Sequence, residues 1–214
     1  MELTLIQKIA VWALPVIFAI TVHEVSHGWV ANRLGDPTAR MLGRLTLNPI
    51  KHIDPIGSLL VPAFLLFAGG FVFGWAKPVP ITAQNMKNPR RDMAIVALAG
   101  PVSNLIMAFL WAIVARVGVL IGDATFALPM IYMGLAGIAI NIALAVLNLL
   151  PLPPLDGGRV LSYLLPPKMS DKLDRIEPYG FFILLGLLIT GILGIILGPA
   201  FAVLQVLFRS VAGL

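Results

Sequence analysis

Residues 5–30 read LIQKIAVWALPVIFAITVHEVSHGWV, an apolar run that carries His23, Glu24 and His27 near its end. A helix needs about 20 mostly apolar residues to cross a bilayer, and this stretch supplies them. A carboxylate inside such a run costs roughly 2.5–3.5 kcal/mol even on insertion scales, so Glu24 needs a partner or a function. On a helix, His23 and His27 lie one above the other on the same face. His23-Glu24-Val25-Ser26-His27 is an H-E-x-x-H pattern, in which both imidazoles bind one zinc ion and the glutamate takes a proton from water. A polar patch on a solvent-exposed helix is the bland alternative, and the apolar surroundings argue against it.

The rest of the chain has a matching composition. Of 214 residues, 59% are hydrophobic and 12% charged, with a mean hydropathy of +0.96. A soluble domain carries about a quarter charged residues, so a water-soluble enzyme is excluded, and so is a disordered chain. The absence of cysteine removes disulfides, zinc–thiolate sites and thiol nucleophiles. The net charge of +5 and pI near 9.9 do not indicate nucleic acid, because the basic residues flank apolar segments as membrane anchors do.

Further apolar segments span 56–73 (with Pro62 and Gly69-Gly70), 93–121, 128–150 and 179–197. Gly198-Pro199 closes the last of these before a shorter piece, 200–214. The first segment does not read as a cleaved signal peptide, since it lacks a basic start apart from Lys8 and no small-residue cleavage site follows. The expected fold is an all-α polytopic membrane protein with four to six membrane segments. It forms one membrane-embedded domain over 1–214, with a core at 5–165 and a C-terminal membrane region at 178–214.

Two imidazoles do not complete a catalytic zinc site, which ordinarily has three protein ligands and an open position. Asp156 is the candidate third ligand, in Asn148-Leu149-Leu150-Pro151-Leu152-Pro153-Pro154-Leu155-Asp156-Gly157-Gly158. The prolines break the preceding helix, and the glycines permit a tight turn. The alternative is that Asp156 caps a helix beginning at Gly157. Two imidazoles and one carboxylate suit zinc among several divalent metals.

H-E-x-x-H ending one membrane segment and N-x-x-P…L-D-G ending a later one resemble the site-2 protease family of intramembrane zinc metalloproteases. The resemblance implies one zinc ion held by His23, His27 and Asp156, with Glu24 as general base. It also implies a substrate that is itself a transmembrane-helix protein, in a bacterial inner membrane. Gly100-Pro101-Val102-Ser103-Asn104 is similar to a small-residue motif of the compact bacterial members, as are Asn48–Pro55 and Gly74–Pro80. Asn104 is the candidate oxyanion donor, with interhelical packing against Gly100 as the alternative. Asn141 and Asn148 fit the packing role better.

A single metal also constrains topology. If 56–73 were a full crossing, Asp156 would emerge on the face away from the histidines. Residues 56–74 are therefore expected to re-enter, bending at Pro62 and Gly69-Gly70. Such irregular backbone is tolerated at membrane depth only when buried in protein or lining water. This arrangement gathers Arg33, Arg40, Arg44, Lys51, Lys77, Lys87, Arg90, Arg91, Arg159, Lys168, Lys172 and Arg175 on one face. By the positive-inside rule that face is cytoplasmic, and the site opens toward it. Arg116 is placed to snorkel to the opposite face.

A helical substrate has its amides satisfied internally, so an element must hold it extended. Leu42–Leu47 alternates apolar and polar residues, and Val79–Thr82 is a second short candidate; both are expected as strands, the prolines keeping an edge free for a guest. His52 and Asp54 either gate the cleft or form an interfacial turn. Trp29, Trp75, Trp111 and Tyr179 read as interfacial or packing aromatics. The rival function is a cation transporter using the same His, Glu and Asp cluster, but no inverted repeat is visible. A silent membrane scaffold is the third option, against which the intact H-E-x-x-H speaks. Because the chain has no cysteine, Lys51→Cys and Lys87→Cys can each be labelled alone in intact membranes. Both are expected to react from the same side, and opposite accessibility would refute the re-entrant segment.

Overall fold

A computed structural model describes residues 4–60, 76–122 and 124–214. Helix α1 runs from Leu5 to Arg33. Thr4 accepts from Gln7 N–H while the Gln7 side chain accepts from Thr4 N–H, a capping box that satisfies donors the helix cannot use itself. Helix α2 spans Pro89–Ile121 and α3 spans Ala124–Asn148. Short helices α4 (Asp156–Leu164), α5 (Pro167–Asp174) and α6 (Glu177–Ile189) follow, then α7, Ile192–Ala212. Among the described residues α1, α2, α3 and α7 are long and apolar enough to cross a membrane.

Small residues let these helices approach closely where lipid supplies no hydrophobic drive between them. A Cβ on Gly134 of α3 would stand 2.6 Å from Ala115 Cβ and 2.8 Å from the Trp111 carbonyl of α2. Asn104 reaches the Ala19 carbonyl of α1 and Asn141 of α3, while His27 of α1 bonds the Val96 carbonyl near the start of α2. The pairs 19–104 and 27–96 make α1 and α2 antiparallel, and 104–141 with 115–134 make α2 and α3 antiparallel. The histidine end of α1, the start of α2 and the end of α3 therefore share one side. Trp111, Ile138, Ile142, Phe208 and Ala212 form a buried cluster that seats α7 on α2 and α3. The Arg116 guanidinium lies against Gly213, so α2 and α7 end on the same, opposite side.

After Asn148 the chain turns through Pro151, Pro153 and Pro154. Gly157 sits directly beneath the Leu149 and Leu150 carbonyls, where no side chain fits, so α4 starts hard against the end of α3. The Leu155 backbone caps α4 without a side-chain bond, and Asp156 is its first residue rather than its cap.

Three expectations need correction or placement. The last spanning helix is α7, not 179–197: the chain breaks at Gly191, whose φ of 75° suits glycine, and Pro199 lies inside α7. Nearby groups can accommodate a proline in a membrane helix, so Gly198-Pro199 was a weaker stop than Thr190-Gly191. The expected strands at 42–47 and 79–82 are not strands, and none occurs among the described residues. Gly43 turns at φ 63°, Pro78 and Pro80 lack ladder donors, and Arg44 Nη2 bridges the two stretches by donating to the Lys77 carbonyl at 2.9 Å. The re-entrant segment at 56–74 falls mostly on 61–75, outside the described residues; Asp54 accepts from Ile56 and Gly57 N–H at the turn before it.

Because backbone blocks a Cβ at residue 134, Gly134→Ala is expected to destabilise the helix pair by about 1–3 kcal/mol, roughly 2–10 °C in detergent melting. Gly186→Ala in α6, where nothing lies within 4 Å, is expected to leave the midpoint unchanged or raise it.

Candidate active site

Helical spacing puts His23 and His27 on the face of α1 that meets α2, and both are buried. Their Nε2 atoms are 3.0 Å apart, and each lies near Asp156 Oδ2, at 3.3 and 3.4 Å. The rings fit because residue 100 is glycine; a Cβ there would stand 2.5 Å from His23 Cε1 and His27 Nε2. The other ring nitrogens face acceptors. His23 Nδ1 donates to Asn104 Oδ1 at 2.6 Å and His27 Nδ1 donates to the Val96 carbonyl at 2.7 Å. The tautomers follow from these acceptors, and both Nε2 lone pairs point into the cluster.

That arrangement fits a cation. Two lone pairs and a carboxylate oxygen converge, and Asp156 Oδ2 is buried without a hydrogen-bond donor. The three ligand atoms lie within 4.8 Å of one another, and His23, His27 and Asp156 are the one such group among the described residues. Acceptors on the outer ring nitrogens orient metal-binding histidines and raise their basicity.

Glu24, half-buried, projects beside this cluster, and its Oε2 accepts from Val79 N–H at 2.8 Å. His23, Glu24, His27, Val79, Asn148 and Asp156 line a cavity of about 320 Å³. A larger cavity of about 550 Å³ adjoins it, sharing Met93, Pro154 and Arg159 and reaching the charged residues Arg90, Asp171 and Asp174. Arg90 and Arg159, two of the basic loop residues, thus lie next to the site's cavity or line it.

Two overlapping matches, over residues 11–127 and 116–190, align the chain with the model of peptidase family M50. The chain belongs to peptidase family M50, the site-2 protease family of zinc metalloproteases. It is 42% identical over 186 residues to "Putative zinc metalloprotease YwhC" of Bacillus subtilis, covering 86% of this chain and 82% of that one. It is 34% identical over 174 residues to "Putative zinc metalloprotease Rip2" of Mycolicibacterium smegmatis, covering 81% and 64%. Stage IV sporulation protein FB of Bacillus subtilis is 28% identical over 179 residues, covering 81% and 58%. The chain thus spans less than two thirds of the latter two relatives. No solved structure matches it.

In this M50 peptidase the expected residues are distributed unevenly around the site. His23, His27, Asp156 and Glu24 meet in one cavity. Asn104, expected as an oxyanion donor, is fully buried and gives its amide hydrogens to the Ala19 carbonyl and Asn141 Oδ1 while accepting from His23. In this conformation it positions a histidine and has no N–H left for an oxyanion. His52 lies outside the cluster, its Nε2 facing the Thr46 carbonyl at 2.9 Å, and Asp54 serves the turn. Trp111 packs in the core, whereas Trp29 stays exposed under Arg33. Trp75 lies outside the described residues. Two contributions escaped sequence reasoning because they are backbone groups, the Val96 carbonyl and the Val79 N–H. Removing the His23 partner with Asn104→Ala is expected to weaken zinc binding about 10–100-fold in a competitive chelator titration, as loss of an orienting group does elsewhere.

Proposed function

We propose that this M50 peptidase is an intramembrane endopeptidase, hydrolysing peptide bonds in or beside the transmembrane helices of other proteins. His23, His27 and Asp156 would hold one zinc ion, and Glu24 is the general base. The observation that carries this reading is the convergence of two imidazole lone pairs and an unpartnered carboxylate beside a second carboxylate, in one cavity between membrane-length helices. Zinc, when bound, supplies Lewis acidity that lowers the pKa of water and polarises a carbonyl.

The chain's own residues do the remainder. Glu24 takes the proton of the attacking water and returns it to the leaving amine, its carboxylate aligned by Val79 N–H. Asn104 and the Val96 carbonyl hold the imidazoles in the tautomer that a metal requires. The cell membrane of a bacterium is the proposed location, with the cavity open to the cytoplasmic side by the charge rule.

In proteoliposomes with a model transmembrane-helix substrate, cleavage is expected to stop on zinc chelation and return on zinc addition. Glu24→Gln keeps size but removes the base, and is expected to lower the rate about 10²–10⁴-fold with bound zinc unchanged. Chelator-resistant cleavage, or full activity in E24Q, would refute this mechanism.

A further inference from the structure

Residues 77–82 run past Glu24 without regular secondary structure, with Pro78, Val79 and Ile81 lining its cavity, so their position depends on what holds their ends. At the first end, Lys77 N–H donates to the His52 carbonyl at 2.9 Å, and Arg44 Nη2 donates to the Lys77 carbonyl at 2.9 Å. At the second end, Thr82 N–H donates to Asp36 Oδ2 at 2.7 Å. Asn85 Nδ2 donates to Asp36 Oδ1 at 2.8 Å, and the Thr38 N–H and hydroxyl donate to the same oxygen.

Asp36 is fully buried and lies just past α1, to which its own N–H is tied through the Ala31 carbonyl at 2.9 Å. Burial works against its charge, but these donors outweigh burial and hold the carboxyl below the usual range. The helix that carries Glu24 therefore also carries the anchor of the strap that runs past it. Between the anchors, Pro78 and Pro80 have no N–H, leaving Val79 N–H as the single backbone donor of residues 78–80. That donor is on Glu24 Oε2. Val79 is seated one helical turn further along α1, where a Cβ on Gly28 would stand 2.8 Å from Val79 Cγ1.

We propose that Asp36 is a positioning residue for Glu24: it fixes the 77–82 strap so that Val79 N–H holds the Glu24 carboxylate in its working orientation. The proposal rests on Glu24 acting as the base. Because Arg44 and His52 hold the other end independently, loss of Asp36 releases the strap beside Glu24 and leaves the metal ligands in place.

The test uses the full chain in proteoliposomes with the model helix substrate. Asp36→Ala is expected to lower kcat about 10-fold or more, in line with the ~100-fold effect of a misplacement of about 1 Å, while KM and zinc affinity stay unchanged. Asp36→Asn, which keeps one acceptor oxygen, is expected to recover part of the loss. Val79→Pro removes the donor and should reproduce the defect. The double variant D36A/V79P is expected to be no worse than the poorer single one. Should D36A not fold, Asn85→Ala and V79P give the same readout. Full kcat in D36A or V79P, a rise in kcat, a parallel loss of zinc affinity, or additive defects would each overturn the proposal. Wild-type cleavage that survives chelation would instead sink the metalloprotease mechanism itself, so the two failures are distinguishable.

Discussion

Three ligand atoms from positions 23, 27 and 156 meet within 4.8 Å in an apolar, mostly lipid-facing bundle, and the rest of the structure is arranged to permit that meeting. Unpaired, the same carboxylate and lone pairs would repel one another and be costly to bury. The fold offsets part of this by directing both Nδ1–H groups outward to acceptors, while Asp156 Oδ2 receives no donor and stays available to a cation.

Helix direction follows from the same constraint. The histidines lie near the end of α1 and Asp156 lies just past α3, so α1 and α3 must reach one side of the bundle. Antiparallel packing of α2 between them achieves this; Gly134 and Gly157 are among the places where backbones approach too closely for a side chain, and Gly100 leaves room for the two imidazoles. Packing in lipid rests on such contacts, because apolar burial against lipid gives little. Asn104 links α1, α2 and α3 at the level of the cluster, joining fold stability to the orientation of His23.

Family membership and site geometry support each other through independent observations. The M50 match covers residues 11–190, while the geometry depends on distances that no sequence match contains. The strap at 77–82 adds a component of which pattern reading assigned residues 79–82 to a strand. Its ends are anchored by side chains, with Arg44 at one and Asp36 at the other, and its middle offers one N–H to Glu24.

Much of this was legible in residue order. Low charge and long apolar runs report the solvent around each segment, so the membrane class and the helices at α1, α2 and α3 followed directly. The H-E-x-x-H spacing is local to one helix, so His23, Glu24 and His27 were readable as a unit, and the proline break drew attention to Asp156. The break at Gly191 rather than Gly198 was not readable, since proline in a membrane helix is tolerated according to its neighbours. Nor was the part played by Asp36, Val79 or Val96, which act through hydrogen bonds spanning 46, 55 and 69 residues of chain. Short-range pattern records what each segment needs from its surroundings. Which backbone amide or carbonyl meets that need is decided by the register of helices packed in three dimensions.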